Sequence, residues 1–149
     1  MRRIAILLAT LFGAGRFPLA PATFASFLTL GLWWWMSALP APVYLGITAA
    51  ITLAGFWICG EAEKSLGHDA HPIVWDEVSG QLVTLAFAPA HHWPSAVAGF
   101  LLFRIFDILK PPPAYQAQRL PGGVGVVMDD VLAVQTAVPV ARPRRMKEM

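Results

Sequence analysis

A chain of 149 residues is one domain's worth of protein and leaves no room for a separate soluble catalytic module. With 56% hydrophobic and 13% charged residues, it lacks the polar surface an ordinary water-soluble domain needs, which points to a bilayer as its solvent. The net charge of +2 is small. The basic excess collects in Arg2 and Arg3 and in Arg142, Arg144, Arg145 and Lys147, which suits anchors on an anionic cytoplasmic leaflet better than a nucleic-acid surface.

The N-terminus pairs Arg2 and Arg3 with an apolar run over 4–12 and a small-residue stretch at 20–22. That layout also occurs in cleaved secretory signals, but the chain after it is equally apolar, so the membrane assignment holds with or without cleavage. Two uncharged stretches follow, 24–39 and 43–60, about 24 and 27 Å long as helices and separated by Pro40, Ala41 and Pro42 in a tight turn. Trp33, Trp34 and Trp35 lie too deep for an interfacial belt and suit packing between helices. A polar connector over 61–77 holds five of the nine acidic residues, and Cys59, the one cysteine, excludes an internal disulfide. A second apolar pair covers 78–88 and 95–109, with a turn over 89–94 containing two prolines and Trp93. A Pro- and Gly-rich loop over 111–125 leads to a short apolar piece, 131–138, that cannot span by itself.

These segments predict an all-α, polytopic membrane bundle of about four crossings with short terminal helices, forming one domain over 1–149. With Arg2 and Arg3 in the cytoplasm, alternate crossings return the 61–77 connector and Asp107 to the cytoplasmic face. The turns at 40–42 and 89–94 carry no Lys, Arg, Asp or Glu and fall on the other face. Nearly all charge is thereby gathered on one side.

Three clusters lie on that face. The first is Asp76 and Glu77, the second Arg104, Asp107 and Lys110, and the third Asp129 and Asp130 behind Gly122, Gly123 and Gly125. Carboxylates beside apolar segments repel one another and resist desolvation unless a cation lies among them. Mg²⁺, a hard ion that prefers carboxylate oxygen and water, answers that need. Arg104, Asp107 and Lys110 repeat every third residue, so they project to roughly one side of a helix that Pro111 ends. An acid able to hold a metal, flanked by cations able to hold phosphate oxygens, suits phosphoryl transfer. Each cluster alone also fits a helix cap or a structural ion pair; three on one face favour a site. His68 and His71 fall on the opposite face from His91 and His92, which argues against a histidine zinc site.

Four ordered motifs over roughly 10–134 resemble the phosphatidylglycerophosphatase A family of bacterial membrane proteins. Gly13, Gly15, Pro18, Ala20, Pro21, Thr23 and Ser26 match its G-x-G-x-x-P-x-A-P-G-T-x-G-S signature, with Ala22 and Ala25 in place of two glycines. Ile73, Val74, Asp76, Glu77 and Gly80 match I-V-x-D-E-x-x-G. Phe103, Arg104, Phe106, Asp107, Lys110 and Pro111 match F-R-x-F-D-x-x-K-P, and the third cluster with Ala133 matches G-G-x-G-x-x-x-D-D-x-x-A. Val134 stands where a glycine commonly follows.

The resemblance implies Mg²⁺-dependent removal of the phosphate monoester from phosphatidylglycerophosphate, in phospholipid biosynthesis, by a multi-pass inner-membrane enzyme whose site faces the cytoplasm. It implies metal and acid–base roles for Asp76, Glu77, Asp107, Asp129 and Asp130; Glu77 is the candidate base that activates water, with Asp129 or Asp130 as alternatives. It also implies phosphate contacts for Arg104 and Lys110, and substrate or metal-water orientation for Thr23 and Ser26. The phospholipid and the membrane are the expected partners, without nucleic acid; the oligomeric state is left open. Two rivals remain at this point: a small ion transporter or channel, whose acids would spread through the membrane depth, and an inactive relative with a structural role.

Overall fold

The computed structural model describes residues 2–67 and 70–109, and within them every regular element is helical. Five α-helices run α1 Arg2–Ala9, α2 Pro21–Met36, α3 Ala41–Leu66, α4 Trp75–Thr84 and α5 Trp93–Leu109, with a 3₁₀ segment Leu11–Arg16 after α1. The expected helical class is therefore met. Proline sets two of the starts: Pro21 opens α2, and Pro42 lies in the first turn of α3, where a missing N–H breaks no helical bond. Gly67, at φ 99°, ends α3 and donates its N–H to the Glu63 carbonyl at 2.9 Å.

Several boundaries differ from the sequence reading: α2 covers 21–36 rather than 24–39, and α4 begins at Trp75 rather than at 78. α3 continues through Glu61, Glu63 and Lys64, so the first third of the polar connector is helix; nothing before Gly67 stops it. α4 stops at Thr84, short of the predicted segment end at 88, because the chain turns over residues 85–92. Length and hydropathy qualify only α3 as a membrane-spanning helix among the described residues. α2 and α5, at 16 and 17 residues, fall just below the length of a full span.

The contacts reveal how the helices run. Ser26 meets Glu77 and Trp33 meets Leu85, so α2 and α4 are parallel. Tyr44 meets the Leu82 carbonyl while Trp75 meets that of Ile51, which makes α3 antiparallel to α4. Arg104 pairs with Glu77, and Gly99 lies against Leu85 one level away, so α5 also opposes α4. The four helices thus alternate in direction. At one end the two turns come together: the His91 N–H donates to Ser37 Oγ at 3.3 Å, and Trp34 packs against His91 and Trp93 with ring centroids 4.7 Å apart. The charged residues of α3, α4 and α5 occupy the opposite end.

Burial follows this frame. Leu30, Trp33, Met36, Tyr44, Val78, Leu82, Leu85 and Ala96 form the core at the turn end. Trp33 is enclosed and donates its indole N–H to the Leu85 carbonyl at 3.2 Å, whereas Trp35 is 83% exposed. Of the three tryptophans, two therefore pack between elements and one faces outward. The second core joins α1 to α3 through Ala9, Ile58, Cys59, Ala62 and Ile73. The Ala9 carbonyl accepts the Val74 N–H at 2.9 Å, so the N-terminal helix is a structural part of the connector that leads into α4.

Candidate active site

The site begins with two carboxylates in the first turn of α4, where the positive end of the helix dipole favours them. Asp76 and Glu77 are both buried, and consecutive helical positions point about 100° apart. Glu77 is directed between α2 and α5, and the backbone of Asp76 lies beside Cys59 of α3. What holds this turn is the junction beneath it. A Cβ added to Gly15 would lie 2.0 Å from the Pro72 carbonyl oxygen, so only glycine lets the 3₁₀ segment approach the backbone that delivers α4.

Around Glu77 a compact polar cluster forms. Ser26 of α2 donates its hydroxyl to Glu77 Oε2 at 3.0 Å, and Arg104 of α5 places Nη1 2.8 Å from the same oxygen. The same Nη1 lies 2.8 Å from Asp107 Oδ2. Arg104 thereby sits between two carboxylates that would otherwise repel each other in a poorly solvated place. Its planar fork suits this, because it can serve a carboxylate and a phosphate oxygen together. Glu77 lies at the edge of the bundle, ahead of the apolar segment that starts at Val78. Burial, and then the charge of Asp107, raise its pKa to about 7 against the lowering effect of Arg104 and Ser26.

The expected site residues separate into three groups. Ser26, Glu77, Arg104 and Asp107 are brought together. Asp76, the neighbour of Glu77 in sequence, has its backbone beside Cys59, and Thr23 lines an apolar groove with Phe24, Phe27 and Phe100. Lys110, Asp129 and Asp130 lie outside the described residues. Among the described residues no three His, Cys, Asp or Glu side chains gather as a metal-ligand set. One residue escaped sequence reading. Gln81 is fully buried one turn after Glu77, and neither of its amide atoms has a hydrogen-bond partner among the described residues. The i, i+4 spacing from Glu77 was the available signal.

The family model of phosphatidylglycerophosphatase A matches residues 7–142, nearly the whole chain, and so takes in all four motifs and the cluster just described. The chain belongs to the phosphatidylglycerophosphatase A family. That is a family of phosphoric monoester hydrolases. An Escherichia coli (strain K12) relative named phosphatidylglycerophosphatase A is 37% identical over 129 residues, covering 85% of this chain and 75% of that protein. A Haemophilus influenzae relative of the same name is 41% identical over 136 residues, covering 89% and 83%. A Bacteroides thetaiotaomicron relative, 39% identical over 136 residues and covering 86% and 85%, is named provisionally as a phosphatidylinositol-3-phosphatase. No solved structure matches the chain.

Proposed function

We propose that this chain is a Mg²⁺-dependent phosphatase that converts phosphatidylglycerophosphate to phosphatidylglycerol and phosphate at the cytoplasmic edge of a bacterial inner membrane. Family membership supports the reaction class, and the names of the Escherichia coli and Haemophilus influenzae relatives support the substrate. The observation that carries the mechanism is the Ser26–Glu77–Arg104–Asp107 cluster, a buried base beside a cation at one end of the bundle.

The donor chemistry fits Mg²⁺. Asp76 and Asp107 offer the hard carboxylate oxygens this ion takes, and Mg²⁺ commonly uses only one or two protein carboxylates with water and phosphate. Asp76, Asp107 and one or both of Asp129 and Asp130 would hold it. There it would neutralise phosphate charge and acidify bound water. The protein's own residues do the rest. Arg104 and Lys110 bind the non-bridging phosphate oxygens and meet the charge that grows on them. Ser26 holds Glu77 Oε2 in place. Glu77 takes one proton from the attacking water as its oxygen bonds to phosphorus. The P–O bond to the glycerol carbon's oxygen breaks, the leaving alkoxide takes a proton from solvent water to become the free alcohol, and Glu77 returns its own proton to solvent.

All-helical alternation, with α3 long enough to cross and both turns remote from the charges, supports a multi-pass arrangement. The test is phosphate release by the purified full chain from phosphatidylglycerophosphate, phosphatidylinositol 3-phosphate and phosphatidic acid, each with and without Mg²⁺. Release from the first, abolished by chelation, is expected. No Mg²⁺-dependent release from any lipid refutes the phosphatase reading, and preference for the inositol lipid refutes the substrate.

A further inference from the structure

The first helix has two faces. Ala5 and Ala9 are fully buried, and Ala9 packs into the core shared with α3. Arg3, Leu7 and Thr10, spaced i, i+4 and i+7, form the other face and line a cavity of about 420 Å³. Its far wall comes from the 3₁₀ segment, which reverses sharply: Leu11, Phe12 and Gly13 hold φ of 47°, 55° and 100°. The Thr10 carbonyl accepts the N–H groups of Gly13 and Gly15 at 3.0 and 2.9 Å, and Gly15 lies against the Pro72 backbone. That turn returns the chain so that Arg16 lines the same cavity as Arg3.

Two arginines therefore share a cavity lined by no Asp or Glu among the described residues. Neither forms an ion pair among those residues. Arg2 differs: its charge acts on Glu61, which also pairs with Lys64. Cations that share a cavity repel one another unless an anion lies between them, as carboxylates do without a cation. The rim indicates which anion. Leu7 is 49% and Phe12 71% exposed, so hydrocarbon borders the two arginines, as at the boundary between headgroups and acyl chains. The level fits as well, because the Ala9 carbonyl next to Thr10 binds the Val74 N–H just ahead of the acids of α4. We infer that this cavity binds the phosphate of an anionic phospholipid between Arg3 and Arg16, apart from the Ser26–Glu77–Arg104–Asp107 cluster, none of whose residues lines it. Such a site needs a bilayer but no phosphatase activity.

The full chain is titrated in neutral detergent with dioleoyl phosphatidylglycerol, dioleoyl phosphatidylcholine and inorganic phosphate, and bound ligand is counted by native mass spectrometry. An Arg3→Gln/Arg16→Gln variant removes the charge of the cavity, and an Arg2→Gln/Lys64→Gln variant removes the same charge outside it. Phosphatidylglycerol affinity is expected to fall about tenfold or more in the first variant, the worth of one charge-assisted hydrogen bond, and to hold within about twofold in the second. Equal losses in both variants, no loss in the first, or equal affinity for phosphatidylcholine overturns the inference. Inorganic phosphate bound as tightly as the lipid overturns the lipid as occupant. A second measurement uses the unaltered protein: modification of Arg16 by phenylglyoxal, read by peptide mass. Phosphatidylglycerol is expected to slow it severalfold and phosphatidylcholine to leave it unchanged. Equal rates with the two lipids overturn the site. If the cavity variant loses helicity by circular dichroism, this protection alone decides.

Discussion

Glu77 is the residue on which the chemistry turns. Its raised pKa, to about 7, comes from burial and from Asp107, and it acts as base only when ionised. The sign follows directly: kcat/KM rises with pH as Glu77 loses its proton and falls as pH drops and Glu77 takes it up. Glu77→Gln keeps the shape and the Ser26 neighbour but cannot accept the proton, so kcat should drop by roughly 10²–10⁴-fold with helicity unchanged by circular dichroism. Full turnover in that variant refutes the base assignment. Both acids of the first turn of α4 were visible in the sequence as an adjacent pair. Which of them meets Ser26 and Arg104 was not, because neighbouring helical positions diverge by about 100° and only the packing partners show which way each faces.

At the scale of elements, one glycine of the N-terminal motif has a clear packing role. Gly15 admits backbone: its Cα packs where an added Cβ would strike the Pro72 carbonyl oxygen and carbon at 2.0 and 2.9 Å. Ala25, in place of a family glycine, is fully buried in α2, and its carbonyl accepts the Thr29 hydroxyl at 2.8 Å. Gly15→Ala should therefore lower stability by about 1–3 kcal/mol, read as a lower thermal midpoint in detergent, since main chain rather than a flexible side chain has to move. Activity should fall with it, because the Pro72 segment delivers Asp76 and Glu77. An unchanged midpoint and unchanged turnover contradict this. The contact was illegible in the sequence because residues 15 and 72 are far apart along the chain.

For the whole molecule, alternation of four helices places the 37–40 and 89–92 turns together and the acids at the other end. In the proposed orientation, a cysteine introduced at exposed Ala38 in a Cys59→Ser background reacts with an impermeant maleimide from outside the inner membrane. One at exposed Ser65, near the end of α3, reacts only after the membrane is opened. Reaction of both from the same side contradicts the arrangement. Cys59 itself is fully buried in the α1–α3 core.

The amino-acid sequence by itself determined the helical class, the two proline-marked turns, the segregation of charge and the family, because composition, turn chemistry and ordered motifs are local properties of a chain. Tertiary structure decided the rest. It joined Ser26 to Glu77 across 51 positions, placed Arg104 between Glu77 and Asp107, and set Thr23 in an apolar groove. The physical reason is that a helix face acquires its function only from the helix packed against it. Asp129, Asp130 and Lys110 remain sequence expectations lying outside the described residues.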